Sequence, residues 1–175
     1  MPGSSKKILI TGPPGCGKTT LVRELYSRFP DFCGFWTEEV RERGVRTGFQ
    51  IVTTWGGKLP LSSVNSTSPF RVGKYGVEVE NIDWVTQKLW ELLGKGKRNF
   101  LIDEIGKMEY FSREFRKLIG ELFQNPDTNI IATIAEKDFH PEIRVLKGKG
   151  QIYLLRREDF SKVLGELAGF LSSHP

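Results

Sequence analysis

A chain of 175 residues, 38% hydrophobic and 27% charged, has the size and balance of one globular domain, so residues 1–175 are expected to form a single unit with a buried core. No apolar run approaches the roughly 18 residues of a membrane span, and the opening "MPGSSKKILI" lacks the apolar stretch and cleavage site of a secretory leader, so a cytoplasmic protein without membrane contact is expected. The net charge of +5 permits nucleic-acid binding without demanding it, because most cations are interspersed with acids and the balance fits an anionic small substrate equally well.

In chain order, "KKILIT" (Lys6 to Thr11) reads as a short buried parallel strand that ends at a glycine loop. From Lys18 the pattern turns helical, with Leu21, Val22, Leu25 and Phe29 on one face and Pro30 as a stop. The stretch Gly34 to Val64 alternates and breaks at Arg43-Gly44 and Gly56-Gly57, which predicts antiparallel strands joined by hairpins. Asn65 to Glu78, rich in Ser, Gly and Pro, reads as a loop. A second helix is expected from about Ile82 to Leu93, then a strand "NFLID", then a third helix with Ser112 as N-cap and Phe115, Leu118, Ile119 and Leu122 as its apolar stripe. "NIIATIA" is a further buried strand, Glu136 to Gly150 a basic glycine-containing excursion, "QIYLL" a strand, and Phe160 to Leu171 a final helix. Strands alternating with helices imply an α/β domain with a mostly parallel sheet and the hairpin strands at one edge.

"GPPGCGKT", Gly12 to Thr19, matches the full G-x-x-x-x-G-K-[ST] pattern between a predicted strand and a predicted helix. Gly12, Gly15 and Gly17 let the backbone curl so that N–H groups of the loop, Pro13, Pro14 and Cys16 included in its path, close around phosphate oxygens. The helix start at Lys18, Thr19 and Thr20 adds free N–H groups and a positive dipole end. Lys18 can bridge the β- and γ-phosphates and the Thr19 hydroxyl can ligate magnesium. Cys16 and Cys33 are the only cysteines and His140 and His174 the only histidines, so reduced thiols are expected and neither a zinc site nor a His-based triad is.

Asp103 follows the apolar run Phe100, Leu101 and Ile102, where a phosphate-loop protein carries the Asp that holds magnesium. Glu104, next in the chain, can accept a proton from an attacking water, or it can be a solvated strand end. Thr133 interrupts "IIATIA"; its hydroxyl either reaches the γ-phosphate or water, or is an ordinary strand residue. Developing negative charge at the phosphoryl group can be met by an added arginine, for which Arg46, Arg144, Arg156 and Arg157 are candidates, and Gly148 and Gly150 could make the basic excursion a mobile lid. Glu38, Glu39, Arg41 and Arg46 either line a site or pair across strands, and physics favours the pairing.

Four stretches, "ITGPPGCGKTTL", "GFWTEEVRERGVRTGFQIV", "VGKYGVEVE" and "LIDEIGKME", resemble the small P-loop nucleoside-triphosphatases first described from thermophiles, whose relatives include the human cancer-related nucleoside-triphosphatase. The resemblance implies a three-layer α/β/α, RecA-like fold and magnesium-dependent hydrolysis of ATP, GTP and other nucleoside triphosphates to diphosphate and phosphate. It also implies that Lys18 and Thr19 act in the phosphate loop, Asp103 at the metal and Glu104 as the base. The C-terminal third departs from the family's pattern, with "AEKDFHPEIRVLKGKG" and "RRED" in place of a proline-containing segment and an Asn-Arg. Weak base selectivity is expected, since no guanine-reading Asn-Lys-x-Asp motif is present, and a monomer is favoured. Two alternatives stay open: a nucleotide or nucleoside kinase, for which no acceptor pocket is visible in the sequence, and a nucleotide-driven nucleic-acid-binding module, which lacks an aromatic-basic stacking pattern.

Overall fold

In the computed structural model, which describes residues 5–173, the chain runs β1 (Lys7–Thr11), α1 (Lys18–Arg28), β2 (Cys33–Glu42), β3 (Val45–Thr53), β4 (Lys58–Ser63), β5 (Arg71–Val72), β6 (Tyr75–Val77), α2 (Val79–Gly94), β7 (Asn99–Ile105), α3 (Arg113–Gln124), β8 (Asn129–Ile134), α4 (Pro141–Lys149), β9 (Gln151–Leu154) and α5 (Phe160–Ser173). The first residues of the chain and His174 lie outside the described residues.

Strand periodicity builds a core on both faces of the sheet. In β1, Ile8 and Ile10 pack with Leu21, Val22 and Leu25 of α1 and Val163 and Leu167 of α5, while Leu9 joins the opposite core. In β7, Leu101 belongs to the α1 side and Phe100 and Ile102 to the other; in β8, Ile131 and its neighbours Ile130 and Ala132 divide the same way. Helices α2 and α3 cover the second face, and Ile143 and Leu146 of α4 extend that core. The result is the expected three-layer α/β/α arrangement.

The sheet has nine strands in the order β5-β6-β4-β3-β2-β7-β8-β1-β9. From β2 to β9 every pairing is parallel, and beyond β2 every pairing is antiparallel. The hairpins turn where the sequence breaks, at Arg43-Gly44 and at Gly56-Gly57. Strand β8 lies between β1 and β7, so the strand feeding the glycine loop and the strand carrying Asp103, which runs on to Ile105, are not neighbours. That separation leaves a crevice at the carboxyl ends of the strands, where ligands of open α/β sheets bind.

Two expectations are corrected. Residues 65–78 are more than a loop: they fold into β5 and β6, which continue the antiparallel edge. Ser68 and Arg71 supply hydrogen bonds there, with Ser68 Oγ donating to Val77 O at 2.7 Å and the Arg71 guanidinium donating to Ser66 O and Lys74 O at 2.8 Å each. The segment 136–150 is not an irregular excursion but holds a helix. Pro141 opens helix α4, His140 caps it by accepting from the Glu142 N–H at 3.1 Å, and Ile143 and Leu146, three residues apart, are buried. Lys147 further ties the segment down, donating to Glu136 O at 2.9 Å and Asp138 at 2.8 Å. Helix α2 also begins a turn before Ile82, at Val79.

Helix α3 starts as expected, with Ser112 Oγ accepting from the Phe115 N–H at 3.0 Å. The same hydroxyl donates to Asp83 of α2 at 2.5 Å, which joins the two helices. Phe115 is fully buried, with its ring 6.3 Å from Phe35 and 6.4 Å from Tyr110. Phe115→Ala is expected to lower unfolding free energy by about 3–5 kcal/mol, read from the urea midpoint at unchanged slope.

Candidate active site

The loop leaves β1 at Gly12 and enters α1 at Lys18. It closes against the segment that follows β9: the Leu155 N–H donates to Thr11 O at 2.8 Å, and a Cβ on Gly12 would lie 2.3 Å from the Leu155 carbonyl oxygen. A side chain at position 12 would therefore push the loop off its support. Helix α1 has no side-chain cap and no acid in its first turn, so its free N–H groups and positive end are left for an anion. Lys18 reaches back along the loop and donates to Gly12 O at 2.6 Å and Pro13 O at 3.4 Å. The side chain of Cys16 is buried in the core on the α1 side.

Asp103 is 3% exposed. Its Oδ2 accepts from Thr19 Oγ1 at 2.7 Å and from the Thr37 N–H at 3.4 Å, and its Oδ1 accepts from Thr133 Oγ1 at 2.6 Å. Burial raises its pKa, opposed by the hydrogen bonds from Thr133, Thr19 and Thr37 and by the charge of Lys18. Thr133, which the sequence left open, is thus a site residue, but it binds the carboxylate directly. The signal was a lone hydroxyl in an apolar run. Thr37 acts through its backbone, which no residue pattern announces.

The peptide bond between Asp103 and Glu104 is cis. Glu104 lines a cavity of about 370 Å3 that also includes Gly12, Lys18 and Thr37. Its pKa is pushed up to about 7, first by burial and then by the charge of Asp103, with Lys18 opposing. A second carboxyl, Glu109, is 4% exposed in a short 3-10 turn, Glu109–Phe111. The two flank Gly106: a Cβ there would lie 2.6 Å from Glu104 Oε1 and 3.2 Å from Glu109 Oε1. Burial, then the nearby Glu104 charge, holds Glu109 well above the ordinary carboxylate range. The chain segment "IGKME" therefore places a glycine between two acids, a role that spacing alone did not reveal.

Of the candidate arginines, Arg157 meets the loop, donating from Nη2 to Gly15 O at 3.0 Å, and Arg156 lines the same outer hollow beside Pro13, Pro14 and Cys16. Arg46 does not join them. It donates to Tyr75 Oη at 2.9 Å and Glu39 at 3.2 Å and lies 5.2 Å over the Phe49 ring. The Arg46–Glu39 contact joins β3 to β2, the cross-strand pairing that physics favoured, while Arg41 pairs with the same Glu39 from within β2 at 2.8 Å. Glu38 lies 3.7 Å from Arg23 and 3.8 Å from Lys58. Arg144 is exposed on α4.

The raised carboxyls set a pH dependence of stability. A group whose proton is bound more tightly in the folded chain contributes stability that is complete below the ordinary glutamate value of 4.5 and is lost as pH rises through the folded value. The nucleotide-free protein is thus expected to have a lower urea midpoint at about pH 8 than at about pH 5, and Glu109→Gln to flatten that fall and stabilise the protein at the higher pH.

A family model described as NTPase matches residues 7–168. The nucleoside-triphosphatase THEP1 of Aquifex aeolicus (strain VF5) is 46% identical over 153 residues, which cover 81% of this chain and 86% of that protein. The cancer-related nucleoside-triphosphatase of Homo sapiens is 38% identical over 143 residues, 74% of this chain and 75% of that protein. The crystal structure of THEP1 from Aquifex aeolicus superposes with a TM-score of 0.84 at 40% identity, covering 94% of this chain and 98% of that one. The solution structure of a human cancer-related nucleoside triphosphatase superposes with a TM-score of 0.78 at 31% identity, covering 98% and 100%. With the strand order, the glycine loop and these likenesses in agreement, the chain belongs to the NTPase family of P-loop nucleoside-triphosphatases.

Proposed function

We propose that the protein hydrolyses nucleoside 5′-triphosphates, ATP and GTP among them, to nucleoside diphosphate and phosphate with weak base selectivity. The observation that carries this reading is Glu104, a half-buried carboxyl beside Lys18 on one cavity wall. The names of the relatives, nucleoside-triphosphatases from Aquifex aeolicus to human, support it.

The loop N–H groups and the start of α1 bind and orient the phosphates, and Lys18 neutralises charge at the β and γ groups. Thr19 and Asp103 fit magnesium. Their oxygens stand 2.7 Å apart, and no group of three or more His, Cys, Asp or Glu able to hold a metal occurs among the described residues. That suits an ion that takes one or two protein oxygens and completes its shell with phosphate and water. When bound, the ion would neutralise negative charge on the phosphates. Thr133 and the Thr37 N–H hold Asp103 in place for that duty.

Glu104 orients a water and accepts its proton as the water oxygen bonds to the γ-phosphorus and the bond to the bridging oxygen breaks. Arg157, fixed at the rim by Gly15, adds positive charge beside the loop. No helix among the described residues is long and apolar enough to cross a membrane.

Lys18→Ala is expected to abolish turnover. Glu104→Gln is expected to keep nucleotide affinity, measured with a fluorescent ATP analogue, while kcat falls by roughly 10²–10⁴. A wild-type rate in Glu104→Gln overturns the base role. For the wild type, kcat/KM is expected to rise with pH up to about 7, because only the ionised carboxylate accepts a proton, and to level off above it.

A further inference from the structure

The cavity faced by Glu104 is larger than hydrolysis needs. A water fills about 30 Å3, whereas this space, which takes in the γ-phosphoryl position beside Gly12, Pro14 and Lys18, measures about 370 Å3, within the range of sites for small organic molecules. Its walls are apolar: Phe49 of β3, Leu61 of β4 and Val72 of β5 on the antiparallel side, with Met108 and Phe139 from the segments after β7 and β8. With Lys18 engaged by the γ-phosphoryl group and the buried Glu109 carboxyl holding its proton, Lys107 and Lys137 are matched by Glu104 and Glu136, so the space favours a neutral occupant over a polyanion. Glu109 contributes a nearly buried carboxyl for hydrogen bonding to the edge of such a molecule.

The nucleoside end of the triphosphate has other places to go. Two further hollows meet the loop, one along Leu154, Arg156 and Arg157 and one along Thr20, Arg23 and Glu38, and neither includes Glu104. With the γ-phosphoryl group at Lys18 and Glu104, the rest of the nucleotide runs out along one of these, and the apolar cavity stays open beyond the γ end.

The geometry points to a second substrate in this cavity: a neutral alcohol with a planar, largely apolar body of nucleoside size, which accepts the γ-phosphoryl group in place of water. This rests on the reading of Lys18 and Glu104 as the γ-phosphate site. The acceptor oxygen bonds to the γ-phosphorus, and the bond from phosphorus to the β,γ-bridging oxygen breaks with its electron pair left on the diphosphate. The hydroxyl proton passes to the Glu104 carboxylate and then to solvent. The products are a nucleoside diphosphate and a phosphate monoester, with no change of oxidation state. Hydrolysis is the same displacement with water admitted to a vacant acceptor space.

The test uses the full chain with magnesium and γ-labelled ATP, and a panel of neutral alcohols of that size: the ribonucleosides and thymidine. The expected result is a labelled monoester from at least one of them, with free phosphate reduced in proportion. Val72→Trp, which fills the cavity, is expected to lower the ratio of monoester to free phosphate by about tenfold or more, and Phe139→Ala to raise the acceptor KM. If phosphate release is normal and no alcohol in the panel is labelled, the acceptor site is overturned while the hydrolase reading stands. If phosphate is not released in any arm, the hydrolase reading falls, and this inference with it. A labelled product whose ratio and KM neither variant moves overturns the cavity as its site. Should both variants fail to fold, the wild-type product assay alone decides.

Discussion

One buried carboxylate organises the crevice. Taking an ionised Asp out of water is costly unless donors replace the lost hydration, and Asp103 at 3% exposure receives them from separate elements: Thr19 on α1, Thr133 on β8 and the backbone of Thr37 on β2. Each bond stabilises the carboxylate, and each also fixes its own element relative to β7. Because Thr19 follows Lys18 directly, the bond that satisfies Asp103 also sets the register of the phosphate loop against the sheet. Chemistry at the γ-phosphate and the packing of α1 are in this way parts of one constraint.

The strand order makes that constraint possible. With β8 between β1 and β7, a hydroxyl on the middle strand can bridge from beneath, and the crevice widens enough for Lys18 and Glu104 to share one cavity. The antiparallel strands have a separate effect. They continue the sheet past β2 and raise Phe49, Leu61 and Val72 into a wall facing the carboxylates. The parallel half carries the glycine loop and Asp103, and the antiparallel half supplies the apolar wall that faces them. The paired charges on the β2–β3 hairpin, Glu39 with Arg41 and Arg46, belong to this wall's support more than to the reaction.

Much of this was legible in the residues, for identifiable reasons. The phosphate loop is contiguous, so its geometry is written in eight successive residues. Ser112 announces its helix because a cap acts over three positions. The segment 136–150 misled because basic residues outnumber the apolar pair Ile143 and Leu146, and a short helix that gains its stability from tertiary burial leaves a weak periodic trace. Thr133 was ambiguous because a threonine in a strand is ordinary until the neighbouring strand is known. Arg46 was a reasonable candidate by charge, and a partner twenty-nine residues away, Tyr75, claims it.

By itself the sequence determined the α/β class, the loop from Gly12 to Thr19, the two acids that follow an apolar strand, and membership of a recognisable group of nucleoside-triphosphatases. These depend on local pattern, where spacing along the chain equals geometry in space. Only the tertiary structure decided what surrounds the acids. It set Thr133 and Thr37 on Asp103, set Glu109 beside Glu104 across Gly106, brought Arg157 rather than Arg46 to the loop, and opened an apolar cavity beside Lys18 and Glu104. Those relations join residues from distant strands, and their distances are set by sheet order and by the burial that each strand achieves against its neighbours, neither of which a linear pattern contains.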